Sequence, residues 1–161
     1  MNYLIACDDL FPHTPAGAAR VAWDLAVLMR ERGHHVGFIC GSSGGSTSCS
    51  GVVEGVDVLC CSWPERRKLG LSRVQAVVDA VAEGARTWSG TRWDVLHTHS
   101  LMTGLGVLKG LPNITRRVCT VHSPVVLEQR INWAGRGLAG LLKLAVAQPV
   151  IRRLERRVLD A

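Results

Sequence analysis

The stretch Asp94-Val95-Leu96-His97-Thr98-His99-Ser100 decides the fold. Trp93 and Asp94 lead into two apolar residues, and the chain then turns at once to His-Thr-His-Ser. A short apolar run that becomes polar so abruptly reads as a buried strand emerging at the carboxyl edge of a sheet. In open α/β sheets that edge is where ligands bind. Neutral imidazole both donates and accepts hydrogen bonds, which suits hydroxyl-rich ligands. The two histidines are therefore candidate site residues.

Upstream of this stretch, residues 3–7 form a first apolar strand and residues 8–15 a loop with two acids and two prolines. Thr14-Pro15 reads as an N-cap followed by proline at the first helical position. The helix after it places Ala18, Val21 (with Ala22), Leu25 and Leu28 (with Met29) on one face. Gly33 ends that helix, and a second strand follows at 36–40. Residues 41–51 are rich in Gly and Ser and read as a flexible surface loop. No Lys-Ser or Lys-Thr follows these glycines, so they do not make a P-loop. A third strand at 56–62, a basic turn at 63–68 and a helix at 72–88 come next, the helix presenting Val74, Val77, Val81 and Ala85. Beyond Ser100 the pattern gives a short helix at 101–109, a fifth strand at 117–121 ending in His122-Ser123-Pro124, and a basic helical tail at 125–161. Interruptions of that tail are expected around Arg136-Gly137 and at Pro149.

Strands alternating with helices in this way predict parallel βαβ units in a Rossmann-like, doubly wound sheet. In such a sheet the first and fourth strands flank the point where strand order reverses. The loop after the first strand and the His97–Ser100 segment then face one crevice.

A chain of 161 residues fits a single domain, 1–161. With 47% hydrophobic and 20% charged residues it is globular, and no run reaches the ~18 apolar residues of a membrane span. The start lacks a basic region and meets acids at position 8, unlike a signal peptide. Six cysteines at 7, 40, 49, 60, 61 and 119 include no C-x-x-C pair, and read as reduced thiols of a cytoplasmic protein, mostly buried. The net charge of +6 lies wholly in the last 46 residues, which points to an anionic partner for the tail.

Several short motifs stand in one order: Phe11-Pro12, Ala16-Gly17, Leu25-Ala26, Leu28, Arg32-Gly33-His34 and Val36, then Asp94-Val95-Leu96-His97-Thr98-His99, Thr120-Val121-His122 and Leu154-Glu155-Arg156. Together they resemble the amino-terminal domain of family 4 retaining glycosyltransferases of the two-domain B-type fold. The resemblance implies transfer of a sugar from a nucleotide-sugar donor to an acceptor hydroxyl, with this chain forming the acceptor side of the cleft. It implies no resident cofactor and no metal, the nucleotide-sugar being a co-substrate, and a sugar or lipid-linked acceptor. The family's Gly-Gly is Ala16-Gly17 here. The family's donor-binding domain with its Glu-x7-Glu motif has no match in these residues, so the expectation is that this is a fragment that transfers no sugar alone.

The resemblance makes His99 the catalytic-site histidine. Gly17, near a helix amino terminus, offers backbone N–H groups to phosphate; its competing role is to let the helix pack close to the sheet. His97 reads as a buried, hydrogen-bonded support. His122 and Ser123, ending the neighbouring strand, are expected to reach the same crevice, and Asp9 is a candidate hydroxyl ligand. Glu128 reads as a solvated first-turn acid. For the arginine-flanked tail, packing is the plain reading. Docking on the anionic inner face of a membrane is the sharper one. Nucleic acid is not expected, because no aromatics interleave the arginines.

Three other readings compete. His97-Thr98-His99 is similar to the first motif of polymerase-and-histidinol-phosphatase-type metal-dependent phosphoesterases, but few downstream ligands remain. A non-catalytic Rossmann-like binding module of the receiver type needs an Asp where Cys60-Cys61-Ser62 stand. A dinucleotide-binding domain needs G-x-G-x-x-G after the first strand, which is absent.

Overall fold

The structure, a computed structural model, describes residues 1–11, 13–14, 16–42, 49–63 and 71–122, and thereafter Ile131, Gly137, Ala145, Gln148, Pro149, Arg152, Arg153 and Arg156. Two compact units emerge, Met1–Thr120 and Val121–Ala161.

In the first unit the elements run β1 (Asn2–Ala6), α1 (Gly17–Glu31), β2 (His35–Ser42), β3 (Cys49–Val53), β4 (Val56–Ser62), α2 (Leu71–Arg86), β5 (Val95–Thr98), α3 (Leu101–Gly110) and β6 (Arg116–Cys119). They build one six-stranded sheet in the order β3-β4-β2-β1-β5-β6. All neighbours are parallel except β3 with β4. The doubly wound α/β sheet is thus present, with an antiparallel edge strand added.

β1 is apolar on both sides because both its faces are covered. Ile5 packs with Ala19, Ala22, Trp23 and Ala26 of α1, whereas Leu4 and Ala6 pack with Val77, Val81 and Ala85 of α2 and Val107 of α3. The face of α1 differs from the expected stripe. Its buried residues are Ala19, Ala22, Trp23 and Ala26, while Val21 and Leu28 are 51% and 42% exposed. Small alanines bring the helix close to the sheet, and Trp23 meets Phe38 edge-on at 5.4 Å between ring centroids. Side-chain size misleads here: apart from Trp23, the buried residues of α1 are alanines, while Val21 and Leu28 face outward.

Two further expectations need correction. The Gly/Ser stretch 41–51 is not all loop, since Gly41 and Ser42 complete β2 and Cys49-Ser50-Gly51 begin β3; its centre, 43–48, lies outside the described residues. A two-residue turn explains the second strand: Glu54 and Gly55 both take positive φ, 50° and 76°, between Val53 and Val56. That pattern suits the tight primed turns that match the twist of a hairpin. All five residues of β3 are exposed, as befits an edge. Likewise α1 starts at Gly17, not at Thr14-Pro15. Its N-cap is Ala16, whose methyl group cannot cap, and the Ala16 N–H turns back onto the Thr14 carbonyl at 2.8 Å.

In the second unit Ile131, Ala145, Gln148, Pro149, Arg152, Arg153 and Arg156 are helical, so no break is seen at Pro149 itself. Gly137 is also helical, with a φ of 64°, and its neighbours, where the interruption was expected, lie outside the described residues. No helix among the described residues is long and apolar enough to cross a membrane.

Candidate functional site

The order β2-β1-β5-β6 places the reversal of winding between β1 and β5. After β1 the chain moves to β2 on one side, and β5 continues to β6 on the other. Side chains leaving the carboxyl ends of β1 and β5 therefore meet at a switch point. The expected juxtaposition of the two loops is what the hydrogen bonds describe. The Asp8 N–H donates to Ser100 Oγ at 2.9 Å, and the His99 N–H donates to the Ala6 carbonyl at 2.8 Å. The Gly41 N–H reaches the Asp8 carbonyl at 3.0 Å, tying the end of β2 to the same corner.

Asp8, rather than Asp9, is the acid built into this corner. Thr103 Oγ donates to Asp8 Oδ1 at 2.5 Å, and the Thr103 N–H also points at the carboxylate. Thr103 sits in the first turn of α3, so Asp8 caps that helix from across the crevice. Ser100, the N-cap of α3 by position, makes no side-chain cap; its Oγ accepts from Asp8 and donates to Cys7 Sγ at 3.8 Å. Burial of the carboxyl pushes the Asp8 pKa up, the Thr103 hydrogen bonds pull it back, and neighbouring Asp9 raises it again. Asp9 is half-buried, with its N–H directed at the Cys7 thiol. Sequence reading passed over Asp8 because both acids follow the strand; only the position of α3 distinguishes them.

The histidines fall as expected in one respect. His97 is held by two hydroxyls, Tyr3 at 3.4 Å to Nδ1 and Thr120 at 2.7 Å to Nε2. It is a support, although half-buried rather than buried. His99 is only 7% exposed and stacks on His97 with ring centroids 4.5 Å apart. Both rings lie on the α1 face, since His97 is in register with Ile5, while Thr98 turns to the other face. There α3 comes so close that a side chain on Gly104 would collide with Thr98. The Thr98 hydroxyl also donates to the Ser100 carbonyl at 2.8 Å, fixing the turn that carries His99.

Gly17 is the first residue of α1 and is exposed. Nothing among the described residues lies within 4 Å of where its Cβ would stand, so the helix–sheet packing role does not account for this glycine. The first i→i−4 bond of α1 runs from Arg20 to Ala16 at 3.0 Å. The N–H groups of Gly17, Ala18 and Ala19 therefore precede the helix ladder and point past its amino end. His122 is exposed and belongs to the second unit. Ser123 and Glu128 lie outside the described residues. Among the described residues no group of three or more His, Cys, Asp and Glu is arranged to hold a metal ion. His97 has both ring nitrogens engaged with hydroxyls, which argues against the His-x-His metal reading.

A family model described as "Glycosyl transferase 4-like domain" matches residues 16–161. Comparison with curated protein sequences returns no match. Among solved structures, the catalytic domain of Starch Synthase IV from Arabidopsis thaliana, bound to ADP and acarbose, is similar at a TM-score of 0.52 and 16% identity. The similarity covers 73% of this chain and 33% of that one, so the chain spans about a third of the synthase's length. At that identity the likeness is one of fold.

Proposed function

This chain belongs to the glycosyl transferase 4-like domain family, and on that premise we propose that it forms the acceptor-side wall of a cleft for sugar transfer from a nucleotide-sugar. The observation that carries the reading is the hydrogen-bonded corner at the β1/β5 switch point, where Asp8, Ser100 and Thr103 fix the turn bearing His99. A transferase must hold an acceptor hydroxyl in line with an anomeric carbon, which calls for donors and acceptors on rigid elements. His99, clamped by its stacking on His97, has that character. The open amino end of α1 at Gly17 suits an anionic phosphate group, through its N–H groups and positive dipole end. Asp9, beside that corner, remains in the proposal as a hydroxyl ligand. A sugar or lipid-linked acceptor and a donor held largely by a second domain complete it.

The test is a transfer assay in a polypeptide joining this domain to a donor-binding domain. His99→Ala is expected to lower kcat by roughly 10²-fold or more, the scale for a positioned acid–base or hydrogen-bonding group, with an unchanged circular dichroism spectrum. Wild-type turnover in the variant removes His99 from the site.

A further inference from the structure

Away from the β1/β5 crevice, at the opposite flank of the sheet, three cysteines meet across three strands. Cys40 in β2 and Cys60 in β4 are direct register partners, with Sγ atoms 3.3 Å apart. Cys49 in the edge strand β3 is the register partner of Cys60 on its other side. All are free thiols. Cys40 is fully buried, Cys60 is 9% exposed and Cys49 is exposed.

We propose that Cys60 is a peroxide-reactive thiol that closes onto Cys40 as a disulfide, making this flank of the sheet an oxidative modification site. Neighbouring strands stand about 4.8 Å apart, within the roughly 4.4–6.8 Å Cα separation a disulfide spans, so closure needs side-chain rotation rather than strand movement. Every group facing Cys60 bears on its charge. The Cys40 thiol, from β2, hydrogen-bonds to it and is the main cause that lowers its pKa. Burial opposes this, the Cys49 thiol from β3 adds a second hydrogen bond, and His13, in the loop before α1, adds positive charge. Cys40 itself is pushed up by the same hydrogen bond and by burial. A thiolate is the nucleophile in such chemistry.

The steps balance. The Cys60 thiolate attacks one peroxide oxygen; the S–O bond forms, the O–O bond breaks, and hydroxide leaves to become water. The sulfenic acid so formed is then attacked by the Cys40 sulfur. The S–S bond forms, the S–O bond breaks, and the hydroxyl leaves with the Cys40 proton as a second water. One peroxide is reduced to two waters while two thiols are oxidised.

The test is non-reducing peptide mapping of the chain after treatment with hydrogen peroxide. The expected product is a Cys40–Cys60 linked peptide. In Cys40→Ser, which keeps a hydrogen-bond donor beside Cys60 but has no sulfur to close the bridge, Cys60 is expected to persist as a sulfenic acid trapped by dimedone. In untreated wild-type chain, iodoacetamide labelling of Cys60 should rise with a midpoint below that of an ordinary thiol. Oxidation confined to Cys49 or Cys119 with Cys60 still reduced, a Cys49–Cys60 link in place of the expected one, or a Cys60 labelling midpoint at or above the ordinary thiol value would each overturn the proposal.

Discussion

Asp8 does two jobs that pull its charge in opposite directions. As the cap of α3 it accepts both donors of Thr103, which favours the carboxylate; enclosed in the corner, it loses solvation, and that effect is the larger. A carboxyl whose folded-state pKa lies above its unfolded value, about 3.9, binds its proton more tightly when folded. Its contribution to stability is then fully present below the unfolded pKa and lost as pH rises through the folded one. Asp8→Asn keeps an acceptor for Thr103 and removes the buried charge. Asp8→Ala strands both donors, at a cost of about 0.5–2 kcal/mol. Thermal melts at pH 7 are expected to rank Asp8→Asn clearly above Asp8→Ala, with a flatter pH dependence for Asp8→Asn than for wild type. Equal melting temperatures for the two variants would contradict the capping role. His99 was legible in the sequence because it stands beyond a strand end. Asp8 was not, because what selects it over Asp9 is Thr103, 95 residues away in the chain.

Among the elements, α3 shows why a short, glycine-rich segment can be a helix. Its glycines permit contact: Gly104 lies against Thr98 of β5, and Gly106 against Val81 of α2. Adding one methyl at Gly104 overpacks the turn that carries His99. Gly104→Ala is expected to lower unfolding free energy by about 1–3 kcal/mol, read from urea denaturation, and a loss below ~0.5 kcal/mol would show that the contact gives way easily. The β3–β4 hairpin was the element least legible in the sequence. Its turn residues, Glu54-Gly55, follow only two β-branched residues, and the low-complexity run before them masks the strand. The rest of β3 is defined by pairing with β4, not by its own composition. By contrast β1, β4, β5 and α2 were readable to within two residues, because a strand or helix buried against neighbours carries an apolar pattern of its own. The face of α1 was readable only in part, since alanines set the distance between helix and sheet.

At the scale of the whole molecule, the family membership and the doubly wound sheet agree, and the switch point between β1 and β5 follows from strand order alone. The first and fourth parallel strands were expected to flank it; the edge strand β3 changes the numbering but not the crevice. The net positive charge concentrated after residue 115 belongs mainly to the second unit, Val121–Ala161. Its role is a separate question from the sugar site, and anionic liposome sedimentation at low salt addresses it directly: binding that disappears at high salt is the expected result of membrane docking.

The central claim is that the β1/β5 corner of this chain is a ligand-binding wall. The direct measurement is an amide NMR titration of the isotope-labelled chain with a panel of nucleotide-sugars and oligosaccharide acceptors. The account predicts saturable shifts centred on Asp8, Asp9, Gly17, His99 and Ser100 for at least one of them. Shifts centred instead on the shallow groove between Phe11, Trp23 and Glu54, or no shift at the corner with any of them at millimolar concentration, would contradict it.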